Sequence, residues 1–352
     1  MKLIYTILFS IIIGSVHAIA QSFSGPESVE YDPINNRYIV SNTTSGNLQA
    51  VIPGNAPVLF TPNVGAPYGL VVVDSTVYVN DNGKVLGFNL VTGLQTFTSN
   101  VNASFLNGIC ADSSGHIYTT DFTAKKIYKV NIADGSFNVF VNATVKTPNG
   151  ILFDAANNRL LYCTWGSGVQ VKAVSLIDSS QTILKTTTLS NDDGIAMDAQ
   201  GRVYISVWGT QSIYMLDAAF ANAPLQVITG LSSPADIFYN LGNDTLAVPN
   251  SGNNTVKFYN MSNILGLDHL QLATTDFLKT GIDGTDVFIE WKLETNATAS
   301  LQMYSLTGSM ISCEDVMSSG KNWIQKGKLT TGIYFARISA GEKVLTEKFF
   351  VD

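Results

Sequence analysis

Most of the chain consists of short runs in which hydrophobic and polar residues alternate. Six segments share one order of positions: a turn, an alternating run that ends at Asp or Asn, a polar turn and a second alternating run. The segments start at Pro26, Pro67, Leu106, Pro148, Asp192 and Pro234, so successive starts differ by 41, 39, 42, 44 and 42 residues. Alternation with a period of two, rich in Val, Ile, Tyr and Thr, predicts β-strands.

Each unit continues with a third alternating run, such as KKIYKVNI, and usually with a fourth, such as FNVFVN. Four short antiparallel strands repeated at this period are typical of a propeller blade, and radial repetition protects the sheet edges. The sequence therefore predicts an all-β fold in which residues 22–265 form a six-bladed β-propeller. A solenoid is the alternative, although no polar capping repeats are visible. The sixth unit has no clear fourth strand, which leaves the closure of the ring open.

The first 20 residues have the pattern of a removable signal peptide. Lys2 supplies a positive charge, an apolar stretch follows to Gly14, and Ala18 and Ala20 offer a cleavage point before Gln21. A membrane anchor is the alternative, but the apolar run is shorter than the ~20 residues that a span needs. No other run is apolar enough to cross a bilayer. The mature chain is therefore expected to lack a transmembrane segment and to reach the outer cell surface, or to be secreted, by way of the periplasm.

Charged residues make up 13% of the chain and the net charge is −7. No basic stripe is present to meet phosphates, so nucleic acid is not an expected partner. Cys110, Cys163 and Cys313 lie in separate strand-like runs, and an odd number of cysteines cannot form a complete disulfide framework. Buried free thiols are the favoured interpretation, with a Cys110–Cys163 bridge as the alternative.

The repeat ends at a linker, predicted at residues 266–274, and residues 275–352 carry short strands with frequent turn signals. This pattern predicts a small immunoglobulin-like β-sandwich. The segment also resembles the C-terminal sorting domain of the type IX secretion system, at Leu301, Tyr304, Gly308, Leu329, Gly332, Ile333, Tyr334 and the terminal run from Lys348 to Val351. The resemblance implies that the segment engages the type IX machinery, directs export through a Gram-negative outer membrane and carries no chemistry of its own.

A carbohydrate-binding or adhesive sandwich is the alternative for this C-terminal segment. Trp291 and Trp323 have side chains that can stack on sugars. Both residues lie inside alternating runs, however, so packing in the core is the expected role of each.

The innermost strand of each blade lines the channel of a propeller, so the residue after each opening proline or its equivalent is expected at the channel mouth. Around the ring these residues are Glu27, Tyr68, Asn107, Asn149, Asp193 and Ala235. Two carboxylates and two amide oxygens on one axis, with no Lys or Arg at an equivalent position, favour a hard divalent cation such as calcium. Zinc is disfavoured because His116 and His269 lie elsewhere and no cysteines are paired. The alternative is that Asn and Asp only cap local turns.

The segments PESVEYD, LNGICAD, PNGILFD and DDGIAMDAQGRVY carry a further resemblance. They are similar to the calcium-dependent six-bladed hydrolases of the senescence-marker/gluconolactonase (regucalcin-like) family, to which paraoxonase and diisopropylfluorophosphatase are related. The same short motifs also occur in NHL-type binding propellers. The resemblance implies that Glu27, Asn107, Asn149 and Asp193 bind calcium, and that Glu27, Asn149 and Asp193 are the ligand set of the gluconolactonase branch.

The sequence departs from this family in three respects that concern the substrate. The first blade of the family usually reads Glu-Gly-Pro, whereas Ser28 and Val29 follow Glu27 here. Phe105 and Leu106 stand where the family has a substrate-binding Arg, and the histidine pair of paraoxonase is absent. These departures weaken the expectation of a sugar-acid substrate and leave the ion site unaffected.

If the protein is an enzyme, calcium would polarise a lactone carbonyl or a phosphoryl oxygen, and Asp193 would act as a general base on water or as a nucleophile. Tyr68 could line the pocket or pack in the channel. Trp165 and Trp208 could form an apolar pocket wall or pack between blades.

Two functions follow from the sequence. The first is a secreted calcium-dependent lactonase-like hydrolase that acts on a small lactone or ester. The second is a non-enzymatic surface propeller that binds a protein or a glycan. The fold is compatible with both, because propellers host many functions.

Overall fold

The computed structural model describes residues 22–262, 264, 277–283, 286–293, 298–306, 309–341 and 343–351. The predicted signal peptide and the predicted linker at 266–274 lie outside these residues. The chain divides into two compact units after Ser262. The domain boundaries expected from the sequence, at residues 265 and 275, stay predictions.

Every repeat of the sequence becomes one antiparallel sheet in the first unit. The first three sheets are β1 (Pro26–Asp32), β2 (Arg37–Asn42), β3 (Asn47–Val51), β4 (Val58–Thr61); β5 (Pro67–Val73), β6 (Thr76–Asp81), β7 (Lys84–Asn89), β8 (Gln95–Ser99); and β9 (Leu106–Ala111), β10 (His116–Asp121), β11 (Lys126–Asn131), β12 (Phe137–Val141). The next three are β13 (Thr147–Asp154), β14 (Arg159–Trp165), β15 (Gln170–Ser175), β16 (Gln181–Thr186); β17 (Asp192–Met197), β18 (Val203–Val207), β19 (Ser212–Leu216), β20 (Leu225–Ile228); and β21 (Phe238–Asn240), β22 (Thr245–Asn250), β23 (Thr255–Asn260). Neighbouring strands of each sheet follow one another along the chain.

The sheets are arranged in a ring through their first strands. Each first strand contacts the first strand of the next sheet, from β1 through β21, and β21 and β22 contact β1 again. The last sheet has three strands among residues 22–262, in agreement with the missing fourth run of the sequence. Hydrogen bonds join the last sheet to the first. Asp236 N donates to the backbone oxygen of Glu27 (2.8 Å), and Gly25 N donates to the side-chain oxygen Oδ1 of Asn254 (2.8 Å).

An Asp at the end of several first strands, or directly after it, has a local structural role. Asp32, Asp154 and Asp198 accept backbone hydrogen bonds in the following turn. Each carboxylate also pairs with the arginine that begins or precedes the second strand, at 2.9, 2.8 and 2.6 Å. A carboxylate that receives two kinds of donor holds the tight hairpin in place. The Asp and Arg positions repeated in the sequence are therefore structural.

All first strands except β21 share one irregularity near their beginning. The pairing register with the second strand shifts across Glu27–Ser28, Tyr68–Gly69, Asn107–Gly108, Asn149–Gly150 and Asp193–Gly194. Such a bulge bends the strand and redirects the side chains. A Cβ on Gly150 would lie 2.7 Å from Asp193 O of the next sheet, so the glycines allow the sheets to approach closely.

The second unit is made of two antiparallel sheets. One contains β24 (Phe277–Asp283), β25 (Asp286–Lys292) and β28 (Ser319–Gln325); the other contains β26 (Ala299–Ser305), β27 (Met310–Val316), β29 (Gly332–Ala340) and β30 (Lys343–Val351). Both sheets contribute to one hydrophobic cluster that includes Trp291, Leu301 and Ile338. The core position predicted for Trp291 is therefore correct.

The core position predicted for Trp323 is wrong. This side chain is 47% exposed, because β28 is an edge strand and Trp323 lies on the outer face beside Phe288, with ring centroids 5.8 Å apart. The Lys321 ammonium lies 4.1 Å from the Phe288 ring and 4.7 Å from the Trp323 ring. Alternation alone cannot tell the two faces of a sheet apart when both carry aromatic residues.

The three cysteines are free. Cys110 and Cys163 are buried, as the favoured interpretation expects, and the alternative bridge between them is absent. Cys313 is exposed, so the expectation of a buried thiol is wrong there. It lies on β27, which ends one edge of its sheet and leaves the side chain in solvent.

Candidate metal centre at the channel mouth

Four residues that the sequence predicts as calcium ligands occupy the bulges of their strands and are buried. Glu27, Asn107, Asn149 and Asp193 are 8%, 5%, 1% and 3% exposed, respectively. The same irregularity of the same strand in four sheets carries them, so they lie at equivalent positions of the ring. A bulge can redirect the side chain of a residue within a strand, as the predicted place of these residues at the channel mouth requires.

Three of the four are linked by a hydrogen bond or by the effect of one charge on another. Asn149 Nδ2 donates a hydrogen bond to Asp193 Oδ1 at 3.0 Å. Burial raises the pKa of Glu27 well above its usual value, and the nearby carboxylates of Asp193 and Asp236 raise it further. Burial and Asp236 likewise raise the pKa of Asp193 to about 8, although the amide of Asn149 acts in the opposite direction. Asn107 belongs to the ring through its place in the β9 bulge.

Two further acids belong to this region and were missed from the sequence. Burial raises the pKa of Asp236 to about 7, and its carboxylate accepts a hydrogen bond from Ser28 Oγ at 2.8 Å. Burial and the adjacent Asp193 raise the pKa of Asp192 to about 8. A signal for Asp236 exists in the sequence, because it stands where the second to fifth repeats have glycine. Asp192 gives no such signal, since a turn residue is ordinary at that position.

Several polar atoms near Asp193 are buried and lack a hydrogen-bond partner among the described residues. They are Asn149 Oδ1, both carboxylate oxygens of Asp192, and Trp208 Nε1. The Trp208 N–H makes no hydrogen bond of acceptable geometry, but it lies near enough to Asp193 to lower the pKa of that carboxylate. A buried acceptor without a donor is costly unless an unseen water or ion satisfies it.

The donor set is compatible with a hard cation. Calcium prefers carboxylate and amide oxygens, and Asn149 Oδ1 is an amide oxygen that is buried and unpartnered. The carboxylates of Asp193 and Asp236 raise the pKa of Glu27, and Asp236 raises that of Asp193, effects that an added positive charge would oppose. Among the described residues, no group of three or more His, Cys, Asp and Glu side chains has an arrangement suited to a metal. The predicted ligand set falls outside this criterion, because Asn107 and Asn149 supply amide oxygens and only Glu27 and Asp193 are acids.

A belt of hydrogen bonds holds the ring residues from outside. The backbone carbonyls of four ring residues accept a bond from a side chain of the preceding sheet: Asn107 from Asn80 (2.7 Å), Asn149 from Thr120 (2.8 Å), Asp193 from the Cys163 thiol (3.2 Å) and Ala235 from Ser206 (2.7 Å). Where the sixth sheet meets the first, the backbone N–H of Asp236 takes the place of this side chain and donates to Glu27 O. The belt fixes the backbone at the mouth, so the ring side chains have little freedom to separate.

The aromatic residues predicted at the pocket form part of one continuous arc. Edge contacts run from Tyr68 to Phe105 (4.7 Å between centroids), to Phe122 (5.5 Å), to Trp165 (6.0 Å) and to Trp208 (5.3 Å). All five side chains are partly exposed. Burial raises the pKa of Tyr68, and the charge of Glu27 raises it further, which puts this end of the arc beside the ring. The five rings thus contact one another, and each leaves part of its apolar surface exposed.

Comparison with known protein families identifies the second unit. Residues 285–352 match the family described as "Secretion system C-terminal sorting domain". This segment is a type IX secretion sorting domain. The protein is therefore exported by type IX secretion to the cell surface or beyond, as the resemblance of its C-terminal segment implies. Among the described residues, no helix is long and apolar enough to cross a membrane.

The first unit has the β-propeller fold of several solved structures. A gluconolactonase from Xanthomonas campestris is similar over 64% of this chain and 83% of its own, with 12% identity and a TM-score of 0.57. Virginiamycin B lyase from Staphylococcus aureus is similar over 76% of this chain and 91% of its own, with 13% identity and a TM-score of 0.51. A chain of a nidogen/laminin complex is similar over 62% and 92%, with 16% identity and a TM-score of 0.52. Identities this low show the fold alone.

Proposed function

We propose that this protein is an exported, calcium-dependent, lactonase-like hydrolase. Its catalytic unit is a six-bladed β-propeller, and its sorting domain is an immunoglobulin-like sandwich. The gluconolactonase among the similar structures supports the choice of reaction. The observation that carries the proposal is the convergence of Glu27 and Asp193 with the unpartnered Asn149 Oδ1 in a buried ring.

The ring residues have separate roles in this proposal. Glu27, Asn107, Asn149 and Asp193 would hold calcium, which supplies a Lewis acid for a lactone carbonyl oxygen. Asp193 accepts the proton of an attacking water, or attacks the carbonyl carbon itself. Asn149 Nδ2 orients the Asp193 carboxylate through their 3.0 Å hydrogen bond. The Trp208 N–H favours the ionised form of Asp193, which both roles require.

The aromatic arc supports a pocket for the body of the substrate. Tyr68, Trp165 and Trp208 would form its wall, together with Phe105 and Phe122. Partly exposed rings offer dispersion contacts and no charged group to bind a carboxylate. A lactone or ester with an apolar substituent therefore suits this mouth better than a sugar acid.

A non-enzymatic binding propeller is the second candidate. It is favoured by Phe105, which replaces the substrate-binding Arg that the family resemblance implies, and by the nidogen/laminin complex among the similar structures. In that case calcium, if bound, would only brace the mouth, and the aromatic arc would contact a protein or a glycan.

A calcium titration followed by an activity screen tests the proposal. Calorimetry on chelator-stripped protein should show one site of micromolar affinity or tighter, which Asp193→Ala abolishes. Glu30→Gln is the matched control, because it removes a partly buried carboxylate outside the predicted ligand set and should leave the calcium affinity unchanged.

Asp193→Asn separates the two candidate functions. It should abolish turnover of lactones if the protein is a hydrolase, and it should leave partner binding intact if the protein is a binding propeller. No calcium binding by a correctly folded wild-type protein would exclude the hydrolase.

A further inference from the structure

A cavity on the first unit is lined by later residues of the first strands and by none of the five residues of the aromatic arc. Its volume is about 270 Å³. Leu70, Ile109, Ile151 and Ile195 line it, each two residues after the ring position of its strand. The repeat that brings the ring residues together therefore also builds an apolar wall further along the same strands.

The polar groups of this cavity are unevenly distributed. Glu30 and Asp236 line it together, from the first and the sixth sheets, which adjoin at the closure of the ring. Ser28 Oγ donates to Asp236 Oδ2 at 2.8 Å and so fixes one carboxylate. No Lys, Arg or His is among the residues that line the cavity. Two acidic groups thus line the cavity together, while its other lining side chains are apolar except for the Cys110 thiol and the Tyr239 hydroxyl.

We propose that this cavity binds a small apolar amine, with its ammonium group against Glu30 and Asp236 and its hydrocarbon body against Ile109, Ile151 and Ile195. Charge complementarity selects a cation, because the acids face no basic residue of the cavity. The apolar wall selects an organic cation over a hydrated metal ion, since an alkyl or aryl body gains by leaving water. The volume suits a molecule of about ten non-hydrogen atoms, given that an apolar cavity of roughly 150 Å³ accommodates benzene.

The proposal is independent of the hydrolase at the channel mouth. It uses none of the predicted calcium ligands, and it would stand if the protein had no catalytic activity.

Calorimetry on the full chain with 2-phenylethylamine tests the site, and 2-phenylethanol serves as the neutral probe of nearly equal shape. The amine should bind at least about tenfold more tightly than the alcohol, because only the amine pairs with the carboxylates. Glu30→Gln should remove most of this difference and change the binding of the alcohol little. Ala111→Phe, which fills part of the cavity, should weaken both probes, and Asp193→Asn should weaken neither.

Three results would overturn the proposal. One is the absence of amine binding at millimolar concentration by a protein that unfolds cooperatively. Another is amine binding that Asp193→Asn abolishes and Glu30→Gln leaves intact, which would assign it to the channel mouth. The third is calcium binding that Glu30→Gln abolishes, without amine binding, which would make the cavity a metal site. If a variant fails to fold, the ratio of amine to alcohol affinity in the wild-type protein still decides the outcome.

Discussion

The stability of the metal-free protein should fall as the pH rises from about 5 to about 7. Asp192, Asp193 and Asp236 have pKa values of about 8, 8 and 7 in the folded protein, against an ordinary value of about 3.9 for unfolded Asp. The folded state therefore binds more protons than the unfolded state in this window. Stability falls with pH wherever that holds, which is the opposite of the effect of a salt-bridged carboxylate.

The magnitude follows from the number of protons. Each additional proton on the folded state lowers the free energy of unfolding by about 1.4 kcal/mol per pH unit. Because the three acids are close together, we take one shared proton as the minimum, which gives a loss of about 3 kcal/mol between pH 5 and pH 7. For a unit of this size the melting temperature should fall by about 6–12 °C. Acids with lowered pKa values, such as Asp112 and Asp217, act only below about pH 4 and do not disturb this window.

Thermal unfolding followed by circular dichroism, in chelator and at several pH values, measures this effect. Asp192→Asn should flatten the dependence, because it removes a buried carboxylate of which neither oxygen has a partner. Asp134→Asn is the control, since Asp134 is on the surface and should leave the slope unchanged. Saturating calcium should raise the melting temperature most at pH 7. A melting temperature that is constant or rises between pH 5 and pH 7 in chelator would refute the reasoning.

The belt and the thiols allow two simpler tests. Ser206→Ala should destabilise the protein by about 2–4 kcal/mol in chemical denaturation, because Ser206 Oγ bonds both Gly194 N and Ala235 O at 2.7 Å. Ser180→Ala, at an exposed turn, is the matched control, and an equal effect of both changes would contradict the role of the belt. A thiol reagent should label one cysteine of the native protein, Cys313, and Cys313→Ser should abolish the labelling. Labelling of more than one thiol would contradict the burial of the other two.

The repeat made most of the first unit predictable from the sequence. Alternation and spacing gave the order and the approximate limits of the strands, because a strand with one buried face must alternate. The positions of the ring residues also followed from the repeat, because the same residue of each repeat occupies the same place in its own sheet. The bulge that redirects Glu27 and Asp193 was not visible, because a register shift depends on the partner strand as much as on the strand itself.

The missed groups lie where one repeat departs from the others. Asp236 stands in the position of a glycine, and its charge reaches both Glu27 and Asp193. A single repeat read alone gives no reason to treat this residue as special. Part of the aromatic arc was missed in a different way. Phe105 precedes β9 and Phe122 follows β10, and the two meet beyond the paired ends of these strands, where Phe122 N donates to Phe105 O at 2.9 Å. The pattern predicts which strands are neighbours, but it does not predict which loop side chains touch.

The closure of the ring explains why the acids accumulate on one side. In the third, fourth and fifth sheets the ring residue is held by a side chain of the preceding sheet and is followed by a glycine that allows close approach. At the closure the backbone N–H of Asp236 replaces that side chain and bonds to Glu27 O. The first and sixth sheets have Ser28 and Asp236 at the position of that glycine. Ser28 Oγ donates a hydrogen bond to Asp236 Oδ2 at 2.8 Å. The carboxylate of Asp236 then lies between the mouth, where it acts on Glu27, and the cavity that it lines with Glu30. Asp236, which stands where the second to fifth repeats have glycine, thus contributes a carboxylate to both sites.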